Sequence, residues 1–156
     1  MGTLSNPIAV NEGFNSKAYL DTVGKRTIGY GFNLDEPGIA KFVHPDIKSG
    51  KRSITQGEAN SILLDKIIPI ATNDAINFVG KDVYATLSPA RRQALLDVSY
   101  NLGGPRLGGF KKMQAALKAG DFTTAAQELL SSKYAKQVPN RAKRNALLLL
   151  TGVQSE

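Results

Sequence analysis

Lys17-Ala18-Tyr19-Leu20-Asp21, then Thr22-Val23-Gly24-Lys25, then Arg26-Thr27-Ile28-Gly29-Tyr30-Gly31-Phe32-Asn33-Leu34 is the stretch on which the fold turns. Aromatic and β-branched residues flank a glycine-containing turn, which reads as a β-hairpin. Gly29 and Gly31 mark a close backbone approach or a bulge. No other part of the chain reads convincingly as strand.

On the N-terminal side, Asn6 and Pro7 have the form of an N-cap and a first helical residue, predicting a short helix that ends near Gly13. Beyond Pro37 the texture is helical. Thr55-Gln56-Gly57-Glu58 has capping-box form, and apolar residues follow at Ala59, Ile62, Leu63, Ile67, Ile70, Ala71 and Phe78. Pro69 falls inside that stripe and predicts a kink or a break. Ser88-Pro89 opens a further helix closed by Gly103-Gly104-Pro105. Shorter helices are expected at about 111–119, stopped by Gly120, and from an Asp121 cap to about 131, with a last one from Pro139-Asn140 to Gly152. The expected class is α+β, mainly α, in one domain over residues 1–156. Its parts are a hairpin lobe at about 13–58, a linking helix at about 55–79, and a helical lobe made of about 1–12 plus 80–156.

The 156 residues carry 20 Lys and Arg against 13 Asp and Glu, a net charge of +7, with 42% apolar and 21% charged residues. A domain of this size buries about 68–70% of its unfolded surface, so neither a metal nor a disulfide is needed to hold it together. The absence of cysteine excludes a disulfide framework, thiolate-bound zinc, iron–sulfur ligation and a cysteine nucleophile. A single histidine, His44, leaves little for a Ser-His-Asp triad or a histidine metal site, and is read as a loop residue. No cofactor and no metal are expected. No apolar run approaches the roughly 18 residues of a membrane span. Residues 1–7 have neither the basic start nor the apolar core of a secretory signal, which points to accumulation in the cytoplasm. The chemistry is therefore left to oxygen: carboxylates, hydroxyls and water.

Charge is uneven along the chain. Residues 1–50 hold five basic and five acidic groups, whereas residues 51–156 hold fifteen basic and eight acidic ones. Such a skew attracts a polyanion by long-range steering, with nucleic acid, anionic membrane and bacterial cell wall all open on charge alone. No helix-turn-helix or aromatic-basic platform supports nucleic acid. In the hairpin region Glu12, Asp21 and Thr27 stand with eight residues between the first two and five between the last two. Two carboxylates facing one another serve glycoside hydrolysis, one donating a proton to the departing oxygen, the other activating water or attacking the sugar. On spacing alone, a surface glutamate and two turn residues explain the pattern better.

The wider context carries a resemblance. Glu12-Gly13-Phe14, Ala18-Tyr19-Leu20-Asp21, Gly24 and Thr27-Ile28-Gly29-Tyr30-Gly31 resemble the active-site segment of the T-even phage-type lysozymes, glycoside hydrolase family 24. The likeness continues through Arg91-Arg92, Tyr100-Asn101-Leu102-Gly103, Gly109-Phe110 and Pro139-Asn140-Arg141-Ala142-Lys143-Arg144, in the same order over nearly the whole chain. It implies a phage-type lysozyme fold and an endolysin that cleaves the β-1,4 bond between N-acetylmuramic acid and N-acetylglucosamine in peptidoglycan. By the same resemblance Glu12 is the general acid, Asp21 the base or electrostatic partner, and Thr27 the residue that positions water. Inversion at the anomeric carbon, which the family is taken to use, requires carboxyl groups about 6.5–9.5 Å apart, whereas about 5 Å favours a covalent route.

Arg141 resembles the arginine held against the catalytic glutamate, a positioning role in tension with its tendency to lower a carboxyl pKa. Asn33, Tyr100 and Asn101 fall where relatives line the cleft, although Tyr100 also suits a helix core. Two departures stand out: Phe32-Asn33 where relatives commonly carry histidine, and Asn11 where they often carry an acid. The implied partners are peptidoglycan glycan strands, with no nucleic acid and no stable membrane anchor. The implied protein is a monomer that waits in the host cytoplasm and reaches the periplasmic wall when a holin opens the inner membrane. A catalytically silent or inhibitory wall-binding relative and a lytic transglycosylase remain the alternatives.

Overall fold

The computed structural model describes residues 6–153, without the side chain of Asn11. The expectations placed on residues 1–5 and on the Asn11 side chain lie outside the described residues. The chain forms two compact units, one ending at Pro69 and the other beginning at Ile70.

The first unit opens with α1 (Pro7–Glu12), where the Asn6 side chain accepts from the Ile8 N–H at 2.9 Å and Gly13, at φ +69°, ends the helix. An antiparallel sheet follows: β1 (Asn15–Leu20), β2 (Arg26–Gly29) and β3 (Phe32–Asn33), in the order β1-β2-β3. The expected hairpin is thus extended by a third strand. Gly29 and Gly31 sit at φ +66° and +75°, a backbone region open to glycine, and so let the chain reverse a second time within three residues. Ile28 then pairs with Phe32.

Tyr30, at the tip of that reversal, is fully buried between Phe14 and Phe32, with ring centroids at 5.6 and 6.3 Å. Its hydroxyl donates to Asn60 Oδ1 at 2.6 Å and accepts from Gln56 Nε2 at 3.3 Å, which pins the turn to the helix that follows. Two short helices, α2 (Pro37–Ala40) and α3 (Pro45–Lys48), fill the path between. His44 is the N-cap of α3, its Nδ1 accepting from the Asp46 N–H at 3.0 Å.

Thr55 and Glu58 form the complete capping box of α4 (Gln56–Ile62). The helical run continues through a wider π turn (Leu63–Ile67) into α5 (Ile68–Val79). No break occurs at Pro69. A proline lacks the N–H for its i−4 carbonyl, and here the Ile68 N–H already bonds five residues back, to Leu63 O. Ala59, Leu63, Ile67, Ala71, Ala75 and Val79 are all buried, at intervals of four along the run. Ile70, expected on the buried stripe, falls outside this series and is 40% exposed.

In the second unit α6 (Lys81–Thr86), α7 (Pro89–Leu102), α8 (Gly104–Leu107), α9 (Lys111–Ala119), α10 (Phe122–Leu130), α11 (Lys133–Gln137) and α12 (Pro139–Thr151) surround one apolar core that includes Leu95, Val98, Met113, Leu117, Leu129 and Leu149. The caps read from the sequence are in place: Ser88 accepts from the Arg91 N–H, Asp121 from the Thr124 N–H, and Gly120 and Gly152 are left-handed. Arg91 closes α12 from outside. Its Nε and Nη2 donate to Leu149 O and Leu150 O at 2.8 and 3.1 Å, and its guanidinium lies 3.5 Å from the Phe122 ring centroid.

Candidate active site

The polar residues of interest in the first unit are placed by strand register. Tyr19 in β1 lies opposite Thr27 in β2, which lies opposite Asn33 in β3. Directly opposed residues share a face of a sheet, so the three side chains form one row. Thr27 is only 4% exposed and its Oγ1 donates to Lys25 O at 2.9 Å. Asn33 is half-buried, its Oδ1 accepting from the Asp35 N–H at 2.9 Å.

Asp21 follows β1 directly. Its N–H bonds to Lys25 O at 3.0 Å, so the ladder runs one residue past the strand and keeps Asp21 on the side of Tyr19, two residues back. Its Oδ1 accepts from the Val23 and Lys25 N–H groups at 3.0 and 2.8 Å. The carboxylate thereby holds the turn with one oxygen and leaves Oδ2 outside those two bonds.

Glu12 comes from the end of α1 and lies against Gly31. A Cβ on Gly31 would run into both Glu12 carboxylate oxygens, and at φ +75° no other residue fits that backbone without strain. The close approach anticipated from the glycine pair is therefore an approach to this carboxylate. Burial pushes the Tyr19 phenol pKa above its usual value, and the charges of Glu12 and then Asp21 push the same way. The structure thus sets Thr27 between Tyr19 and Asn33 in one row of the sheet, with Asp21 following β1 and Glu12 packed against Gly31 of the β2–β3 turn.

The remaining predicted residues belong to the second unit. Tyr100 and Asn101 occupy the last turn of α7, both half-buried, so Tyr100 is not a core residue. Arg141, at the start of α12, is 8% exposed and makes a bidentate pair with Asp97, Nε to Oδ2 at 2.7 Å and Nη2 to Oδ1 at 2.6 Å. Asn145 Nδ2 donates to Asp97 Oδ2 at 2.8 Å and lies 3.1 Å from the Tyr134 hydroxyl. No buried side-chain polar atom among the described residues lacks a partner, which is the condition for such a network to persist in a core.

Sequence reasoning missed two of these residues. Tyr19 was signalled by its position two before Asp21, the same-face spacing of a strand. Asp97 was signalled by a charged residue on the face of α7 that buries Ala90, Ala94, Leu95 and Val98. A groove of about 620 Å³ in the second unit was also not foreseen. Leu102, Phe110, Met113 and Tyr134 give it an apolar lining, and Arg106, Lys111, Lys112 and Lys133 outnumber the single acid, Glu128. Among the described residues no cluster of three or more His, Asp or Glu is arranged to hold a metal ion. No described helix is long and apolar enough to cross a membrane.

The fold and these oxygen side chains put the chain in the class of lysozyme-like glycoside hydrolases. The family model for phage lysozyme matches residues 9–147, and the chain belongs to that family. Two proteins of Dictyostelium discoideum, probable T4-type lysozymes 2 and 1, are 26% and 25% identical to it, over 100% and 97% of this chain and 98% and 96% of their own lengths. The pre-baseplate central spike protein Gp5 of Enterobacteria phage T4 is 26% identical over 91% of this chain. The match spans 26% of the spike protein's own length.

Proposed function

We propose that the protein hydrolyses the β-1,4 bond between N-acetylmuramic acid and N-acetylglucosamine in peptidoglycan, with Glu12 as general acid, Asp21 as base and Thr27 positioning the water. The observation that supports this best is the room that Gly31 leaves for the Glu12 carboxylate, on a sheet whose strands also carry Thr27 and lead directly into Asp21. Glu12 gives its proton to the glycosidic oxygen as the bond to the anomeric carbon breaks. A water held near Thr27 attacks that carbon and passes its proton to Asp21. Asp21 then releases its proton to solvent and Glu12 takes one up, closing the balance with one new reducing end and one new alcohol.

In this reading Asn33 contacts the glycan from the first unit, and Tyr100 and Asn101 from the second. The basic second unit favours settling on an anionic wall. The biological setting we propose is host lysis by a monomeric endolysin that waits in the host cytoplasm and gains the wall through a holin.

Mass spectrometry of the fragments released from purified peptidoglycan tests the reaction. Reducing N-acetylmuramic acid ends are expected. Anhydro ends indicate a transglycosylase and contradict hydrolysis, and wall binding with no new ends indicates a silent relative.

A further inference from the structure

Tyr19 is the side chain at this site to which the proposed reaction gives no task. It stands opposite Thr27 in the sheet register, with Asp21 two residues on along the same side. Direct opposition across antiparallel strands sets Cβ atoms about 4.5–5.5 Å apart, so the ring adjoins Thr27 rather than merely sharing its sheet. The two differ sharply in access. Thr27 is 4% exposed, whereas Tyr19 keeps 37% of its surface open. The hydroxyl has no hydrogen-bond partner among the described residues, although it stands in the field of Glu12 from α1 and of Asp21 from the β1–β2 turn.

Such a group suits a sugar. Its ring offers an apolar face and its O–H a single donor, the combination that amphipathic ligands recruit from tyrosine. A phenol is neutral at working pH even unperturbed, and burial first and the two carboxylates next raise its pKa further, so it remains a donor. A lysine in the same place would donate too, but its charge would pull both carboxyl pKa values down and oppose the acid role of Glu12. A neutral donor leaves the acid and the base as they are.

We propose that Tyr19 contacts the glycan directly, its hydroxyl donating to an oxygen of the sugar bound between Glu12 and Asp21. This rests on the glycoside hydrolase reading above, and its test separates the two. Purified peptidoglycan is digested with the wild type, Tyr19→Phe and Tyr19→Ala, following release of reducing ends across the pH range and the thermal midpoint of each protein. Tyr19→Phe keeps the ring and removes only the donor. It is expected to lower kcat/KM roughly three- to tenfold, the usual effect of losing one neutral hydrogen bond, with both limbs of the pH profile and the thermal midpoint unchanged. Tyr19→Ala is expected to lose more, since it also removes the ring.

Wild-type kcat/KM in Tyr19→Phe overturns the assignment while leaving the hydrolase reading intact. A displaced pH limb overturns it as well, because the hydroxyl then acts through the carboxylates, and so does a loss that follows a lowered thermal midpoint. No reducing ends from the wild type overturn both readings together.

Discussion

The first unit, ending at Pro69, carries eight basic and seven acidic side chains, whereas the second carries twelve and six. Acidic residues also live differently in the two. Glu12 and Asp21 are half-buried, and Asp21 spends one oxygen on its own turn. Asp97 is 2% exposed and commits both oxygens to Arg141 and Asn145. The second oxygen of Asp21 stands outside the bonds of its own turn, where a further partner can reach it. A carboxylate whose oxygens are saturated inside a core holds structure and sets the field of its partner. In the proposed reaction the same functional group would serve catalysis in one unit, whereas it holds structure in the other, and accessibility distinguishes the two settings.

The sharpest way to break this contrast is a pair of substitutions. Asp97→Ala leaves the buried Arg141 and Asn145 without their acceptor and is expected to destabilise the protein by about 3–5 kcal/mol, read by urea unfolding. Asp21→Asn keeps an oxygen for the Val23 and Lys25 N–H groups, so its unfolding midpoint should stay near wild type while release of reducing ends collapses. Equal destabilisation by both changes would remove the distinction. Gly31→Ala probes the close approach to Glu12. It forces a Cβ into that carboxylate at positive φ, and a loss of about 1–2 kcal/mol in stability is expected with a larger fall in activity.

A smaller effect is expected from Glu58, whose carboxyl is lowered to about 2, first by the Arg52 side chain and then by the Thr55 N–H. Its folded pKa lies below its unfolded value. The pair therefore supports the fold above about pH 4.5, and that support fades as pH falls toward 2. The bridge is largely exposed, so acid titrations of wild type and Glu58→Gln should differ only slightly, with the variant losing less of its stability across that interval. Wild type losing no more than the variant there would contradict the assignment.

Local chemistry was legible in the sequence. Asn6, Thr55, Ser88 and Asp121 each cap the helix expected of them, because a cap requires only residues two or three places apart. Short elements were not: β3 has two residues and α2, α3 and α8 four each, too few to show a period. At Pro69 the helical run has no break, because a proline's effect depends on the neighbouring turn, which here widens over Leu63–Ile67. The carboxylates at 12 and 21 could be named from the sequence, but the row of Tyr19, Thr27 and Asn33 depends on strand register. The Asp97–Arg141 pair spans 44 positions and left only a charge on an apolar face as its trace.

The central claim is that the chemistry resides in Glu12 of the first unit. Its most direct measurement is the rate at which Glu12→Gln releases reducing ends from purified peptidoglycan, compared with wild type at matched thermal midpoints. Removing a general acid typically lowers a rate by about 10²–10⁴-fold, and a loss in that range is predicted. Activity within a few-fold of wild type in a folded Glu12→Gln protein would contradict the account.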